Sequence, residues 1–336
     1  MHLMMIHTLE TSAELTQYDT WIRGHKEGNL WQSLEWKAYQ ESLGRKVRIY
    51  ASISDNSVIE ASALVIIDTT TGGFSTWEIP RGPLISEKQK MNSEKNAEEF
   101  IQAIIDDAKK EKCLTLYTSP TSLFTFHSSL FTASSRHVQP QATRVIDLTR
   151  SEGDILAQMH PKGRYNITLA KKHGIEVTEG TSSDIAAFYA LLQSTGGRDG
   201  FKISQKSHYT RFLEHLPQSF MLMAMHAGKP ISGLIGVQWH DTAFYYYGAS
   251  SYEHRNLMAP YLLQWEALQR SKARGCCRYD LLGISPENAP SDDPWQGISD
   301  FKRKFGGTVV NYPPEQAVVL KPVVKLALEW KRKIFG

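Results

Sequence analysis

Residues 220–250 read FMLMAMHAGKPISGLIGVQWHDTAFYYYGAS, and residues 260–282 read PYLLQWEALQRSKARGCCRYDLL. Within them 220–225, 231–239 and 243–247 are consecutive strands, joined by turns at Gly228-Lys229-Pro230 and His240-Asp241. Pro260 suits the first residue of a helix running to Arg274, where its missing N–H is one that a helix leaves unpaired anyway. Residues 278–282 form the next strand. Two long strands, a strand leading into a helix and a further strand make an α/β unit with a mixed sheet.

Towards the N-terminus, residues 185–192 and 209–216 are helical, and Val177 lies in a short strand. A helix through Ile155, Leu156 and Met159 meets Pro161 and Gly163, which break or re-aim it; it resumes over 164–172 and stops at Gly174. The first half has the same alternation. Thr11 and Glu14 have capping-box spacing and open a helix ending near Gly24. Ser33 precedes a helical stretch through Trp36 and Tyr39, closed by Gly44. Residues 47–54, 58–67, 74–79 and 114–118 read as strands, and 96–110 as a helix with Phe100, Ile101, Ile104 and Ile105 at helical spacing. This is the element order of an acetyltransferase-type (GNAT-type) fold. The prediction is an α/β (α+β) protein of two such domains with mixed sheets. Residues 1–150 plus about 312–336 form the first and 151–311 the second, the last helix (323–335) packing back on domain one.

A chain of 336 residues is long for one core and fits two domains. With 41% apolar and 22% charged residues, its composition is that of an ordinary globular protein. A net charge of +3 excludes a polybasic nucleic-acid binder as a whole, so any polyanion contact needs a local patch. Cys113, Cys276 and Cys277 form neither a disulfide framework nor metal-ligand spacing, which reads as structural thiols in a reducing compartment. Residues 1–10 lack a cationic start followed by an apolar stretch, and no run approaches the ~20 apolar residues that cross a bilayer. The expected location is cytoplasmic, with peripheral contact at the cytoplasmic membrane face left open.

Three constellations could carry chemistry. Residues 160–177 hold Lys162, Arg164, Lys171 and Lys172 with no acidic residue between 162 and 172. On a helix Arg164, Thr168, Lys171 and Lys172 fall roughly on one face, suited to phosphate contacts, although a solvated basic face is the better reading from composition. In the strand Phe244-Tyr245-Tyr246-Tyr247-Gly248, alternation puts Tyr245 and Tyr247 on one side and Tyr246 on the other. One face reads as core; a hydroxyl-bearing pair equally suits a wet cleft. In residues 297–307, Phe301 and Phe305 anchor a turn and hold Lys302 beside them; the alternative is a surface loop with packed aromatics. Asp292, Asp293 and Asp300 are rejected as a metal site, since Pro294 and Trp295 intervene and no histidine joins them.

There is no P-loop, dinucleotide fingerprint or G-x-S-x-G turn. A coenzyme A enzyme of this fold wants glycines between strand and helix to cradle pyrophosphate, but residues 253–260 contain none. A coenzyme A donor is disfavoured, and no cofactor is expected.

Taken in order, several stretches resemble the FemA/FemB/FemX family of peptidoglycan bridge-forming aminoacyltransferases. They are Gln32-Ser33-x-x-Trp36, Ile79-Pro80-Arg81-Gly82-Pro83, Pro161-Lys162-x-Arg164, Tyr247-Gly248-Ala249-Ser250, Tyr279-Asp280-x-x-Gly283-Ile284 and Gly297-x-x-x-Phe301-Lys302-x-x-Phe305-Gly306. The layout is closest to the compact FemX type. The resemblance implies transfer of an amino acid from aminoacyl-tRNA to an amine of a muropeptide stem, on lipid II or its UDP-linked precursor, by a monomer without a coiled-coil arm. By position it implies Lys302 and Phe301 as the catalytic pair. Tyr245, Tyr209 and Lys206 are the implied substrate contacts, with Tyr247 and Arg164 of the matching motifs as further candidates; Lys162, Lys171 and Lys172 of the basic helix are the candidate tRNA contacts. Gln40 stands where a phosphate-binding lysine is expected, with Lys37 as the substitute, and Ser119 where an acceptor-binding aspartate is usual; both departures weaken the soluble UDP-linked acceptor. The rival readings are a coenzyme A-dependent N-acyltransferase of the same fold and a non-catalytic tRNA- or membrane-binding module.

Overall fold

The protein is described from a computed structural model over residues 5–86, 93–121, 131–134, 136, 138–199, 203–290, 292–293 and 295–335. Of the positions read above, residues 1–4 and Pro294 lie outside the described residues. The chain runs β1 (Met5–Thr8), α1 (Ser12–Gly24), α2 (Leu34–Ser42), β2 (Lys46–Ile53), β3 (Ile59–Thr71), β4 (Phe74–Ile79) and β5 (Leu84–Ile85). Next come α3 (Ser93–Lys110), β6 (Cys113–Thr118), β7 (Thr132–Ala133), β8 (Ala142–Asp147), α4 (Glu152–Gln158), α5 (Pro161–Lys172) and β9 (Glu176–Gly180). It continues with α6 (Ile185–Asp199), α7 (Lys206–His215), β10 (Ser219–His226), β11 (Lys229–Trp239) and β12 (Thr242–Ser250). The last elements are α8 (Ala259–Ala273), β13 (Arg278–Ile284), α9 (Gln296–Arg303), β14 (Thr308–Asn311), β15 (Gln316–Val319) and α10 (Pro322–Phe335).

Two compact units result, Met1–Gln139 with Tyr312–Gly336, and Pro140–Asn311. In the first, the sheet order is β1-β2-β3-β4-β6-β15-β7, with β5 on β3. Its α1 starts where expected because Thr11 and Glu14 cap each other reciprocally. The α3 stripe Phe100, Ile101, Ile104 and Ile105 is buried in one cluster with Trp77, Ile79 and Leu116. Antiparallel pairing of Val318 with Leu116 brings the C-terminal segment back onto this sheet. The Gln32-Ser33 motif is scaffolding. Gln32 donates to Pro80 O at 2.7 Å and accepts from Leu64 N–H at 2.7 Å, tying the Pro80-Arg81-Gly82 loop to β3.

The second sheet has the order β14-β8-β13-β12-β11-β10-β9. The division falls at Pro140 rather than at 150, because β8 pairs antiparallel with both β13 and β14. Its sequence, Ala-Thr-Arg-Val-Ile-Asp, shows no clean alternation to mark it as a strand. Helix α5 begins at Pro161 rather than Arg164: proline suits the first turn, and His160 Nδ1 accepts from Lys162 N–H at 3.1 Å. Residues 296–303 form a helix rather than a turn or surface loop.

The feature that positions a site is the contact of β12 with β13. The two are parallel neighbours, yet they pair only at Thr242–Phe244 against Arg278–Asp280. Both then break regularity: β12 carries an extra residue at Tyr246, and β13 shifts register between Asp280 and Gly283, with Leu282 in the left-handed region at φ 56°. Asp280 Oδ1 accepts the Leu282 N–H at 2.7 Å and holds that bend.

Candidate active site

Lys302 fills the gap where β12 and β13 part. It is 6% exposed, and its Nζ donates to Gly283 O at 2.6 Å and lies 5.7 Å from the centre of the Tyr245 ring. Trp295, Ser299 and Lys302 recur at i, i+4 and i+7, so α9 turns one face to the end of β13. Gly283 admits that face: a Cβ there would stand 1.9 Å from the Trp295 ring. Ser299 Oγ accepts from Ser285 N–H at 2.7 Å, fixing the helix lengthwise. On its other side Phe301 and Phe305 pack on each other and on Tyr261, with ring centres 5.1, 5.2 and 5.8 Å apart. The helix is therefore held on two sides, and the lysine has little rotamer freedom.

Burial lowers the Lys302 ammonium from its ordinary 10.5 to about 7, and the nearby Asp280 carboxylate only partly opposes this. Close to neutral pH the group can act as a cation or as an amine. Around it lies a buried polar cluster: Tyr279 Oη donates to Gln264 Oε1 at 3.0 Å, and the Gln264 side chain also lies near the Tyr245 hydroxyl. Burial pushes the Tyr245 phenol up to about 12, so it remains a neutral hydroxyl. Gly248 makes room for it, since a Cβ there would lie 1.7 Å from the Tyr245 hydroxyl oxygen. Gln264, Tyr279, Asp280, Gly283 and Trp295 received no role from the sequence. The one available signal for Gln264 was an amide among Leu262, Leu263, Trp265 and Leu268 of a buried helix.

The expected pairing of Tyr245 with Tyr247 is corrected. Gly236 pairs with Tyr245 and Ile235 with Tyr247, so Tyr246 is the bulged residue and the alternation slips by one. Tyr245 packs on the α5/α8 core, whereas Tyr247 joins α7, its hydroxyl 2.9 Å from His208 Nε2 and its ring 4.9 Å from Tyr209. Tyr209 is buried, with Oη accepting from Ser204 N–H at 3.2 Å, and Lys206 is exposed in the first turn of α7. Lys302, Phe301 and Tyr245 thus share one side of the sheet, and Tyr209 and Tyr247 the other.

Arg164 is tied to the end of α4 through one guanidinium nitrogen. Its Nη1 donates to the terminal carbonyls of α4, Leu156 O at 3.4 Å, Ala157 O at 3.3 Å and Met159 O, so it closes that helix end. Lys162, Lys171 and Lys172 are exposed on α5. In the first unit Lys37 pairs with Glu41 at 2.6 Å, and the buried Gln40 accepts from Arg45 at 2.6 Å. Buried Ser119 donates to Glu315 Oε2 at 3.2 Å, whose carboxylate also pairs with Arg136 at 3.0 Å.

At the other end of the divergence, α8 is entered through a 3-10 turn at Arg255–Leu257 and Met258 in the left-handed region, with Leu257 and Ala259 buried. Side chains occupy the helix entrance where a glycine loop would expose amides to a pyrophosphate.

A lipid II:glycine glycyltransferase of Staphylococcus saprophyticus is 20% identical over 86% of this chain and 88% of its own length. Among solved structures, FemX superposes with a TM-score of 0.78 at 16% identity, over 96% of this chain and all of that one. A tandem GNAT protein from the clavulanic acid pathway superposes with a TM-score of 0.61 at 12% identity, over 94% and 98%. Both units thus have the mixed α/β GNAT-like fold. The FemAB family profile matches residues 13–131, 121–228 and 224–329, which together span nearly the whole sequence, and the chain belongs to the FemAB family.

Proposed function

We propose that this chain is an aminoacyltransferase that moves an amino acid from aminoacyl-tRNA to an amine of lipid II. The observation that carries the reading is Lys302, a buried cation held rigidly where β12 and β13 separate. The reaction is ester aminolysis. The amine attacks the ester carbonyl, a C–N bond forms, the C–O bond to the tRNA ribose breaks, and the proton shed by the amine ends on the ribose oxygen. An alkylamine has a pKa of about 10.4, so proton removal is part of the task, and a carboxylate of the acceptor itself is the expected helper. Lys302 supplies positive charge to the tetrahedral oxyanion, a contribution worth roughly 3 kcal/mol in a pre-organised site. Burial against Tyr245 and the end of β13 keeps that charge from water. Exposed Lys162, Lys171 and Lys172 suit tRNA phosphates.

The relatives' activity makes glycyl-tRNA the first donor to try and lipid II the first acceptor. Gln40 and Ser119, bonded inside the first unit, favour lipid II over the nucleotide precursor. The filled entrance to α8 speaks against the coenzyme A alternative. Incubation with charged tRNAs and lipid II, read by mass spectrometry, tests the reading. The expected product is a stem peptide heavier by one or more aminoacyl residues, absent with Lys302→Met. Acyl transfer from acetyl-CoA, with none from any charged tRNA, overturns it.

A further inference from the structure

Among its described side chains, helix α10 carries apolar residues on two faces, one half-buried and the other exposed. Val324 and Leu328 are half-buried, and α10 packs against β6. On another side Val323, Leu326 and Trp330 are 79%, 66% and 72% exposed. At 100° per residue these three fall within about 60° of one another, a stripe rather than scattered apolar residues. The flanking sequence is basic: Lys321, Lys325, Lys331, Arg332 and Lys333 stand against Glu329, five cations to one anion, a net +4.

We infer that α10 docks this protein on an anionic lipid surface, with Val323, Leu326 and Trp330 entering the headgroup boundary. An exposed tryptophan beside lysines suits the zone where an aromatic ring meets both acyl chains and water. A helix of 14 residues is about 21 Å long, too short for a hydrocarbon core of about 30 Å, so it lies in the plane of the surface. Among the described residues no helix is long and apolar enough to cross a membrane. A second copy of the chain is the poorer occupant, because pairing α10 with itself would bring one segment of net charge +4 against another. Each cation near an anionic surface adds attraction, which a bilayer supplies and a like-charged partner does not.

The test is co-sedimentation of the full chain with phosphatidylcholine vesicles, with and without about 30 mol% phosphatidylglycerol. Binding to the anionic vesicles should exceed binding to neutral ones by about tenfold or more and weaken in about 0.5 M salt. The Leu326→Ser/Trp330→Ser protein should lose at least about tenfold of it, because two of the three inserting side chains are gone. Both residues are exposed, so its melting temperature should match wild type, which separates lost docking from lost folding. Docking needs no catalysis, so Lys302→Met should sediment like wild type whether or not the transferase reading holds. Equal binding to neutral vesicles, binding untouched by the double substitution, or a dimer in solution that the double substitution makes monomeric each overturns the inference.

Discussion

Replacing Lys302 with methionine keeps most of the side chain's length and removes its charge. The unfolded chain holds a proton here up to about pH 10.5, while the folded protein releases it at about 7, a difference of roughly 5 kcal/mol. Against this, the variant leaves Gly283 O without its Nζ–H partner, which costs about 1–3 kcal/mol. The net expectation is a variant about 2–4 kcal/mol more stable than wild type at pH 7 and below. Between about pH 7 and 10.5 the unfolded wild type binds more protons than the folded one, so wild-type stability rises with pH across that window. The variant has no such rise, so its advantage should shrink through the window, vanish at about pH 8.5–10 and reverse by about 1–3 kcal/mol at the top, where only the lost hydrogen bond remains. Urea denaturation of both proteins at about pH 6, 8 and 9.5 measures this. In the same preparations, aminoacyl transfer should fall by about 10²-fold or more. A variant less stable than wild type at neutral pH, or a stability difference independent of pH, would refute the reasoning, because the ammonium would then be fully compensated by Asp280.

The other expectations concern the walls and flanks of the site. A Cβ at Gly163 would stand 2.5 Å from Lys304 O, so Gly163→Ala should push α5 from the end of α9 and lower the unfolding free energy by about 1–3 kcal/mol, read by the same denaturation. Arg164→Ala should cost about 1 kcal/mol through the carbonyls it leaves at the end of α4, with KM for the charged tRNA unchanged. Lys171→Ala, on the exposed side of α5, should instead raise that KM and reduce the salt slope of tRNA binding by nearly one. Loss of the Lys302 proton above about 7 should weaken binding of a non-hydrolysable aminoacyl-tRNA analogue as pH rises, with no such trend in Lys302→Met. Side-by-side kinetics should show lipid II outperforming UDP-MurNAc-pentapeptide, and a clear preference for the nucleotide form would show that Gln40 and Ser119 do not set acceptor choice.

The fold was legible because its signals are local. The capping box at Thr11 and Glu14, the apolar runs of β10 and β11, and Pro260 at the start of α8 each act within one turn or one strand, where chain chemistry alone decides. The site was legible only as a set of motifs, since Lys302 between two phenylalanines looks the same on a surface turn as in a buried helix. Its burial depends on Gly283 and Trp295, brought beside it by the docking of α9 on β13. The face of each tyrosine was beyond the sequence for a related reason: one unpaired residue at Tyr246 reverses the alternation, and pairing with β11 decides where that residue falls. Arg164 reads from sequence as one more cation of a basic face; that its Nη1 closes the end of α4 is a tertiary fact. Residue types determined which charges and rings this protein carries; which of them meet, and in how little water, was settled by contacts between segments distant in sequence, whose energies no local window contains.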